Sequence, residues 1–343
     1  MGFPARTGFK ELIDIRAENG FASWPITVPE NPLRCSDFSI TPSQPVATPE
    51  LIQGGVDRTA YQIDARTVEG SVAFPLVAKV GSAATVGTPP GSTADFSTVD
   101  PGVDLIFTNA ITNANLATTL YDVFEVGSTY HGVFKNCMVN DIGIAGEEGG
   151  PINISTTIWP THISGDYDDD SIETEGDYPT DYFNLDEVEV IMFYNVRING
   201  GNSITIGDWS LAPCLIRSFN VNVANNLIRN FTYCNYEWAH DITFGLREVT
   251  GDFTFQIDWN QVNNPTGGRF PRFADIMSKA SGVPELTFEM GGGAVIGYTY
   301  TITVRNPIFE AANQPISVGV LTQTVNYRAV ADGTDYAIDY TAG

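Results

Sequence analysis

Carboxylates are the one reactive group this chain holds in abundance, and the search for a site begins with them. Between Ser164 and Glu187, ten acidic residues (Asp166, Asp168, Asp169, Asp170, Glu173, Glu175, Asp177, Asp181, Asp186 and Glu187) occur without one Lys or Arg. Asp166, Asp168, Asp170 and Asp177 fall at positions one, three, five and twelve of a calcium-binding loop, a spacing that lets oxygen ligands surround one cation. Ser171 stands where that loop's sharp turn uses glycine, and no flanking helices are evident, so the calcium reading competes with that of a solvated acidic linker. Paired carboxylates also serve glycoside hydrolysis, but that chemistry depends on a separation in space that sequence does not carry. His131, His162 and His240 lie far apart and share no metal-ligand spacing. Cys35, Cys137, Cys214 and Cys234 form no CxxC pair and read as reduced, mostly buried thiols. No Gly-x-Ser-x-Gly elbow or Walker loop occurs, and Gly291-Gly292-Gly293 separates two predicted strands instead of opening a helix, as a turn does. Catalysis has no positive support, no cofactor is expected, and function falls to assembly or binding.

The elements that must position these groups are read from periodicity. Arg247-Glu248-Val249-Thr250-Gly251-Asp252-Phe253-Thr254-Phe255-Gln256-Ile257 alternates apolar with polar residues, the period-2 mark of a half-buried strand. Arg66-Thr67-Val68-Glu69-Gly70-Ser71-Val72-Ala73-Phe74-Pro75-Leu76 repeats it with Arg, Val, Gly and Phe in matching places, at an offset of 247 − 66 = 181. Upstream, Ser36 to Ile40 and Arg217 to Val221 keep that spacing, since 219 − 38 = 181. Downstream the offset drifts: Asp104-Leu105-Ile106 aligns with Asp275-Ile276-Met277, Val139 to Ile142 with Arg305 to Ile308, and Pro151 to Ile154 with Pro315 to Val318. The pattern predicts two tandem copies of one all-β domain, each with a minor flanking helix: Val103 to about Leu120 in the first and Phe273 to Ala280 in the second. The expected boundaries are an N-terminal arm at 1–34, a first domain at 35–163, the acidic linker at 164–187, a second domain at 188–331 and a tail at 332–343. Within the arm, Phe9 to Arg16 is expected as a short helix.

Composition agrees with that class. A length of 343 residues suits two domains, and 33 Gly and 20 Pro with 20 Phe and 14 Tyr suit strands punctuated by turns. Lys and Arg total 17 against 41 Asp and Glu, a formal charge of −24, which argues against ordinary groove binding to nucleic acid and equally serves as a solubilising surface. Met1 to Thr7 carry no basic segment followed by an apolar core, and no run approaches 18 apolar residues, so neither a secretory leader nor a membrane-embedded protein is expected.

Each half resembles the tail tube proteins of long-tailed bacteriophages. The likeness is carried by Phe219-Asn220-Val221-Asn222-Val223 leading to Asn225-Asn226-Leu227, by Gly245 to Phe255 with a flanking helix after it, and by the closing strands Tyr298 to Val304 and Val318 to Ala329. It is good over Leu211 to Val330 and poorer over Leu33 to Trp159, where Gln44-Pro45-Val46 replaces the Asn-Asn-Leu turn. The resemblance implies a structural virion protein in the tail, assembled in the host cytoplasm. Its partners would be itself and other tail proteins. Three two-domain chains would close a pseudo-hexameric ring, and rings would stack head to tail around a lumen conducting double-stranded DNA without specific binding. Glu69, Ser71, Asp252, Thr254, Gln256 and Asp258 are then expected to line the lumen, while Val68, Val72, Phe74, Phe253, Phe255 and Ile257 fill the cores. Two other readings stay open: a distal or baseplate ring of the same fold, and a tandem carbohydrate-binding module with Trp209, Tyr233, Tyr236 and Trp238 as an aromatic platform.

Overall fold

The computed structural model describes residues 11–17, 32–33, 35–44, 46–47, 62–63, 65–80, 96–112, 119–125, 131–163, 188–202, 204–206, 209–211, 215–231, 238–256, 285–291, 299–313, 322–331 and 336–343. It is an all-β fold with one α-helix among these residues. Its centre is an antiparallel run of eight strands, in spatial order β3 (Asp37–Ser43), β6 (Thr67–Pro75), β11 (Ile152–Trp159), β10 (His131–Glu147), β17 (Ile216–Ala224), β20 (Glu248–Gln256), β24 (Thr322–Ala329) and β23 (Pro307–Asn313). The two strands singled out by alternation are β6 and β20. They form because every second residue is apolar and buries on one side: Val68, Val72 and Phe74 in β6, and Val249, Phe253 and Phe255 in β20.

The run contains one arrangement twice. In β3 and β6, Phe38 opposes Val72 and Ile40 opposes Gly70; in β17 and β20, Phe219 opposes Phe253 and Val221 opposes Gly251, each partner displaced by 181 (219 − 38, 253 − 72). The next pairings, β6 with β11 and β20 with β24, align Ile158 with Tyr327, and those of β10 with β11 and of β23 with β24 align Val139 with Phe309 (309 − 139 = 170). Even the irregularity recurs, since the pairing skips Asn140 in β10 and Glu310 in β23. Val139 to Ile142 therefore corresponds to Phe309 to Ala312, not to Arg305 to Ile308 as sequence spacing suggested. Pro315 to Val318 lies outside the described residues; the last described strand of the eight-stranded run's second half is Thr322–Ala329.

The shared glycines have a steric cause. A Cβ on Gly251 would stand 2.3 Å from the Asn220 carbonyl oxygen and 2.3 Å from the Tyr327 hydroxyl; one on Gly70 would stand 2.0 Å from the Ser39 oxygen, the counterpart of Asn220. Only glycine lets the neighbouring backbones approach this closely.

Smaller sheets cover the apolar side. The first part of β10 turns away to join β9 (Thr119–Glu125), β1 (Glu11–Ala17), β2 (Pro32–Leu33) and β12 (His162–Ile163), and in the second half β14 (Val196–Ile198), β21 (Leu286–Met290), β22 (Tyr300–Val304) and β25 (Ile338–Ala342) form a like sheet. Asn136 and Asn306, at the corners where each half changes sheet, both have left-handed backbones, φ 51 and φ 48, a conformation asparagine tolerates better than most residues. A three-stranded sheet joins β13 (Val188–Val190), β7 (Val77–Val80) and β8 (Phe96–Val99). Hairpins pair β4 (Val46–Ala47) with β5 (Gln62–Ile63), β18 (Ile228–Asn230) with β19 (Asp241–Thr243), and β15 (Ile204–Ile206) with β16 (Trp209–Leu211).

Two expectations about local structure change. Glu11–Ala17, inside the segment read as an arm with a short helix, is instead a strand paired along its length with β9. The short apolar pattern Leu12, Ile13, Ile15 suited either element, and the partner strand decides. Helix α1 spans Pro101–Ile111, shorter than expected: Asp100 caps its start by accepting from Gly102 and Val103 N–H, Pro101 occupies the first turn, and the chain is extended at Thr112. Leu120, expected in the helix, belongs to β9. The helix ties the layers together, with Phe107 edge-on to Tyr300 at 5.7 Å and the Tyr340 hydroxyl donating to Asp104 at 2.7 Å. Most buried apolar residues of both halves form one contiguous core, and Met138, Leu227 and Ile242 form a small separate cluster against Trp159. The helix expected at Phe273 to Ala280 lies outside the described residues.

Candidate functional site

Two features of the eight-stranded run can carry function: its solvent-side face and the junction where its halves meet. Residues directly opposite one another across an antiparallel ladder share a face. Ser71 opposes Thr157, Thr157 opposes Asp141, Asp141 opposes Ala224, and Ala224 opposes Glu248. Asp252 opposes both Asn220 and Asn326, and Asn220 opposes Ala145. With the period of two along each strand, these pairings put Glu69, Ser71, Asp252, Thr254 and Gln256 on one face of one sheet. Asp258, Ile257 and the four carboxylates of the calcium-loop spacing lie outside the described residues.

The face is acidic and rich in neutral hydrogen-bonding groups. Asp37, Glu69, Asp141, Glu147, Glu248 and Asp252 share it with Ser39, Asn220, Asn222, Thr250, Thr254 and Asn326. Its arginines are engaged: Arg328 Nε lies 3.2 Å from Glu310, and Arg217 is held by Glu148 and Gln256. Glu69 is 60% exposed and lies 3.6 Å from Arg229, whose guanidinium packs 4.0 Å from the centre of the Trp159 ring. Asp252 sits lower in the sheet. Burial pushes its carboxyl above the ordinary aspartate value, and the Asn220 amide 3.5 Å away only partly offsets this. Thr254 and Thr324 hydroxyls bond across the ladder at 2.8 Å.

The junction is the antiparallel pairing of β10 with β17, from Asp141 opposite Ala224 to Glu147 opposite Ser218. A buried polar clasp closes its end. Asn225 Nδ2 donates to the carbonyls of Ala110 at 3.0 Å and Val139 at 2.9 Å, while its Oδ1 accepts from Arg247 Nε at 2.7 Å. Arg247 Nη1 reaches the Ile111 carbonyl at 2.7 Å. Ala110 and Ile111 end helix α1, whose last turn has no basic residue of its own, so Arg247 supplies the cation that the negative end of a helix favours. Desolvation lowers the Arg247 pKa, and the guanidinium is the charged group the site tolerates best. Asn140, the residue skipped in β10, accepts from Leu227 N–H at 2.8 Å through its side chain, and Asn109 accepts from Val139 N–H at 2.8 Å.

Of these, Arg247 and the Asn-Asn-Leu turn were visible as repeated or motif residues. The roles of Asn225, Asn140 and Asn109 were not, because each is defined by partners more than 20 residues away. Trp238 packs against the core, with the Arg66 guanidinium 5.5 Å from its ring, so the aromatic platform is not a free surface there; Tyr233 and Tyr236 lie outside the described residues, as do Cys214 and Cys234. Cys137 is buried, and His240 is exposed. Among the described residues no three His, Cys, Asp or Glu side chains are grouped to hold a metal ion, and no helix is long and apolar enough to cross a membrane.

No curated protein matches the chain. A family model described as "Phage tail tube protein" matches residues 13–329, which takes in the whole eight-stranded run, the clasp and α1. With that match spanning most of its length, the chain belongs to the phage tail tube protein family.

Proposed function

We propose that the chain is a two-repeat subunit of a tail tube, in which three copies close a ring and rings stack head to tail around a channel for double-stranded DNA. The repeats correspond to 35–163 and 188–331 joined by the acidic linker 164–187, with β1 and β25 contributed by the segments outside them. The observation that carries the reading is that both halves share one continuous sheet with a polar, acidic face. Three chains of eight strands bring 3 × 8 = 24 strands to a closed wall. At a strand spacing of ~4.8 Å such a wall has a circumference of about 115 Å and a backbone diameter of about 37 Å before strand tilt widens it. Two chains, 2 × 8 = 16 strands, give about 24 Å, a porin-sized channel once side chains line it.

In this reading Glu69, Ser71, Asp252, Thr254 and Gln256 face the lumen, and Asp258 continues their row. Binding of a duplex proceeds by counterion release to clustered cations. Among the described residues the arginines of this face are already engaged by carboxylate and amide oxygens and form no such cluster, so DNA slides past hydrated and unbound. Stacking contacts are heterologous and open, the geometry that extends filaments. The protein is then a structural component of the virion tail, not an enzyme, that self-assembles with other tail proteins in the host cytoplasm. Negative-stain images of the purified protein, taken with its mass in solution, test the proposal. Hollow tubes or rings of three chains are expected. A protein that stays monomeric at every concentration refutes it.

A further inference from the structure

The hairpin of β18 and β19 leaves the second half and crosses onto the first. Asn226, with φ 49, turns the chain out of the sheet, and at the neck Gly245 N–H donates to the Asn225 carbonyl at 3.2 Å. The two limbs approach so closely there that a Cβ on Gly245 would stand 2.1 Å from the Asn226 carbonyl oxygen. Beyond the neck, Leu227 and Ile242 pack on Met138 and Trp159. Trp159 continues the row of Thr157 and Met138 opposes it, so the hairpin lies on the polar face, over two residues that would otherwise put apolar surface there. Arg229 reaches farthest. Its guanidinium lies 4.0 Å from the centre of the Trp159 ring, donates to the Val68 carbonyl and approaches Glu69 at 3.6 Å.

We infer that this hairpin is a strap that opens and closes as a unit over the first half while the eight-stranded run stays folded, with Arg229 as its latch. Its seat is separate from the main core and holds three buried residues, Met138, Leu227 and Ile242. Trp238, just before β19, adds one anchor at the margin of that core, beside Arg66. The strap's own ladder has three residue pairs, too few to stand alone in water. Ile228, Phe231 and Phe244 are exposed, so among the described residues the strap is held from beneath. Closure also has an opposing term. Desolvation lowers the Arg229 pKa, Glu69 offsets this only in part, and the buried Nε has no hydrogen-bond partner among the described residues. Opening returns that group to water. Few apolar contacts and an incompletely satisfied cation mark a segment that opens before the fold does.

The latch is particular to this hairpin. β4 and β5 repeat its ladder at the same offset of 181, with Ala47 opposite Gln62 as Ile228 is opposite Thr243 (228 − 47, 243 − 62). At that offset Arg229 becomes Thr48, and the counterpart of Trp159 in the second half is Arg328. The stacked cation is therefore an addition of one half, not a requirement of the fold. On the channel reading above, on which this consequence rests, a closed strap keeps the Arg229 charge against Trp159 and Glu69 and out of reach of phosphate.

Hydrogen exchange of the full, unassembled chain in sub-denaturing urea tests the strap. The β18–β19 amides are expected to exchange together, at least about a hundredfold faster than the β10–β17 amides and with little dependence on urea. Equal rates and equal urea slopes for the two sets would overturn independent opening. Arg229→Met is expected to speed strap exchange about tenfold, and Trp159→Phe does so less strongly and serves if the first fails to fold. Arg229→Lys keeps the charge without the flat stack and should open as Arg229→Met does. Strap exchange at the unmodified rate in these variants would overturn the latch. At low salt the Arg229→Lys chain should retain more duplex DNA on filters than the Arg229→Met or unmodified chain. Equal retention by the two variants would overturn the withholding of the cation and leave the strap standing. A chain whose strap opens but which never forms rings or tubes would overturn the channel reading and not the strap.

Discussion

Replacing Asn225 with aspartate tests whether the clasp holds the two halves together. The substitution is nearly isosteric and exchanges the Nδ2 donor for an oxygen. Nδ2 donates to Ala110 and Val139 carbonyls at 3.0 and 2.9 Å, and Asn225 is fully buried. Two carbonyls would lose their donor in a site closed to water, at ~1–3 kcal/mol each, or about 2–6 kcal/mol in all. Arg247 Nε, now facing a carboxylate instead of an amide, returns about 1–2 kcal/mol. The net loss is about 3 kcal/mol. With a urea slope of about 3 kcal/mol/M, the unfolding midpoint followed by tryptophan fluorescence should fall by about 1 M. Asn230→Asp is the control: it sits on a hairpin with one long contact to Thr243, 3.3 Å, and should shift stability by less than about 0.5 kcal/mol. In a double-mutant cycle, Arg247→Met should be strongly non-additive with Asn225→Asp because the two side chains share one hydrogen bond. Equal midpoints for Asn225→Asp and Asn230→Asp would refute the clasp as the link between the halves.

Other outcomes follow from the same geometry. Gln323 is fully buried and, among the described residues, neither of its amide atoms has a hydrogen-bond partner; its counterpart in the first half is Ile154, so Gln323→Ile should raise stability by about 1–2 kcal/mol in the same urea titration. Asp252 has its carboxyl raised by burial, so its favourable state is the protonated one: that contribution is present below the ordinary aspartate value and is lost as pH rises through the raised one. Asp252→Asn should therefore raise the melting temperature at pH 7 and lose that advantage in acid; an advantage that grows on acidification would contradict the assignment. Ser71→Lys with Thr254→Lys places two cations on the polar face, and assembled tubes of this variant should retain duplex DNA in filter binding, with retention falling steeply as salt rises. Retention by the unmodified tubes at equal strength would refute an unbound passage.

How much of this was legible follows from the range of each interaction. Alternation along β6 and β20 is a local property, because a strand with one buried face must place apolar residues at every second position. The all-β class, the matched glycines, the spacing of 181 and the sharing of one face by Ser71 and Glu69, or by Asp252 and Thr254, were therefore written in the sequence. That β10 pairs with β17, making one sheet from two halves, was not, because ladder hydrogen bonds join backbones that look alike whatever strand they meet. The same reason explains β1, whose short apolar pattern suited a helix until β9 was seen beside it, and the true counterpart of Val139 to Ile142, which became visible only through the skipped residue shared by β10 and β23. Asn225 looked like any turn asparagine; only burial against α1 makes it the hub of the junction. The sequence determined which faces the strands must hide, and the tertiary structure decided which edges meet, because burial is recorded residue by residue whereas strand pairing depends on parts of the chain far apart.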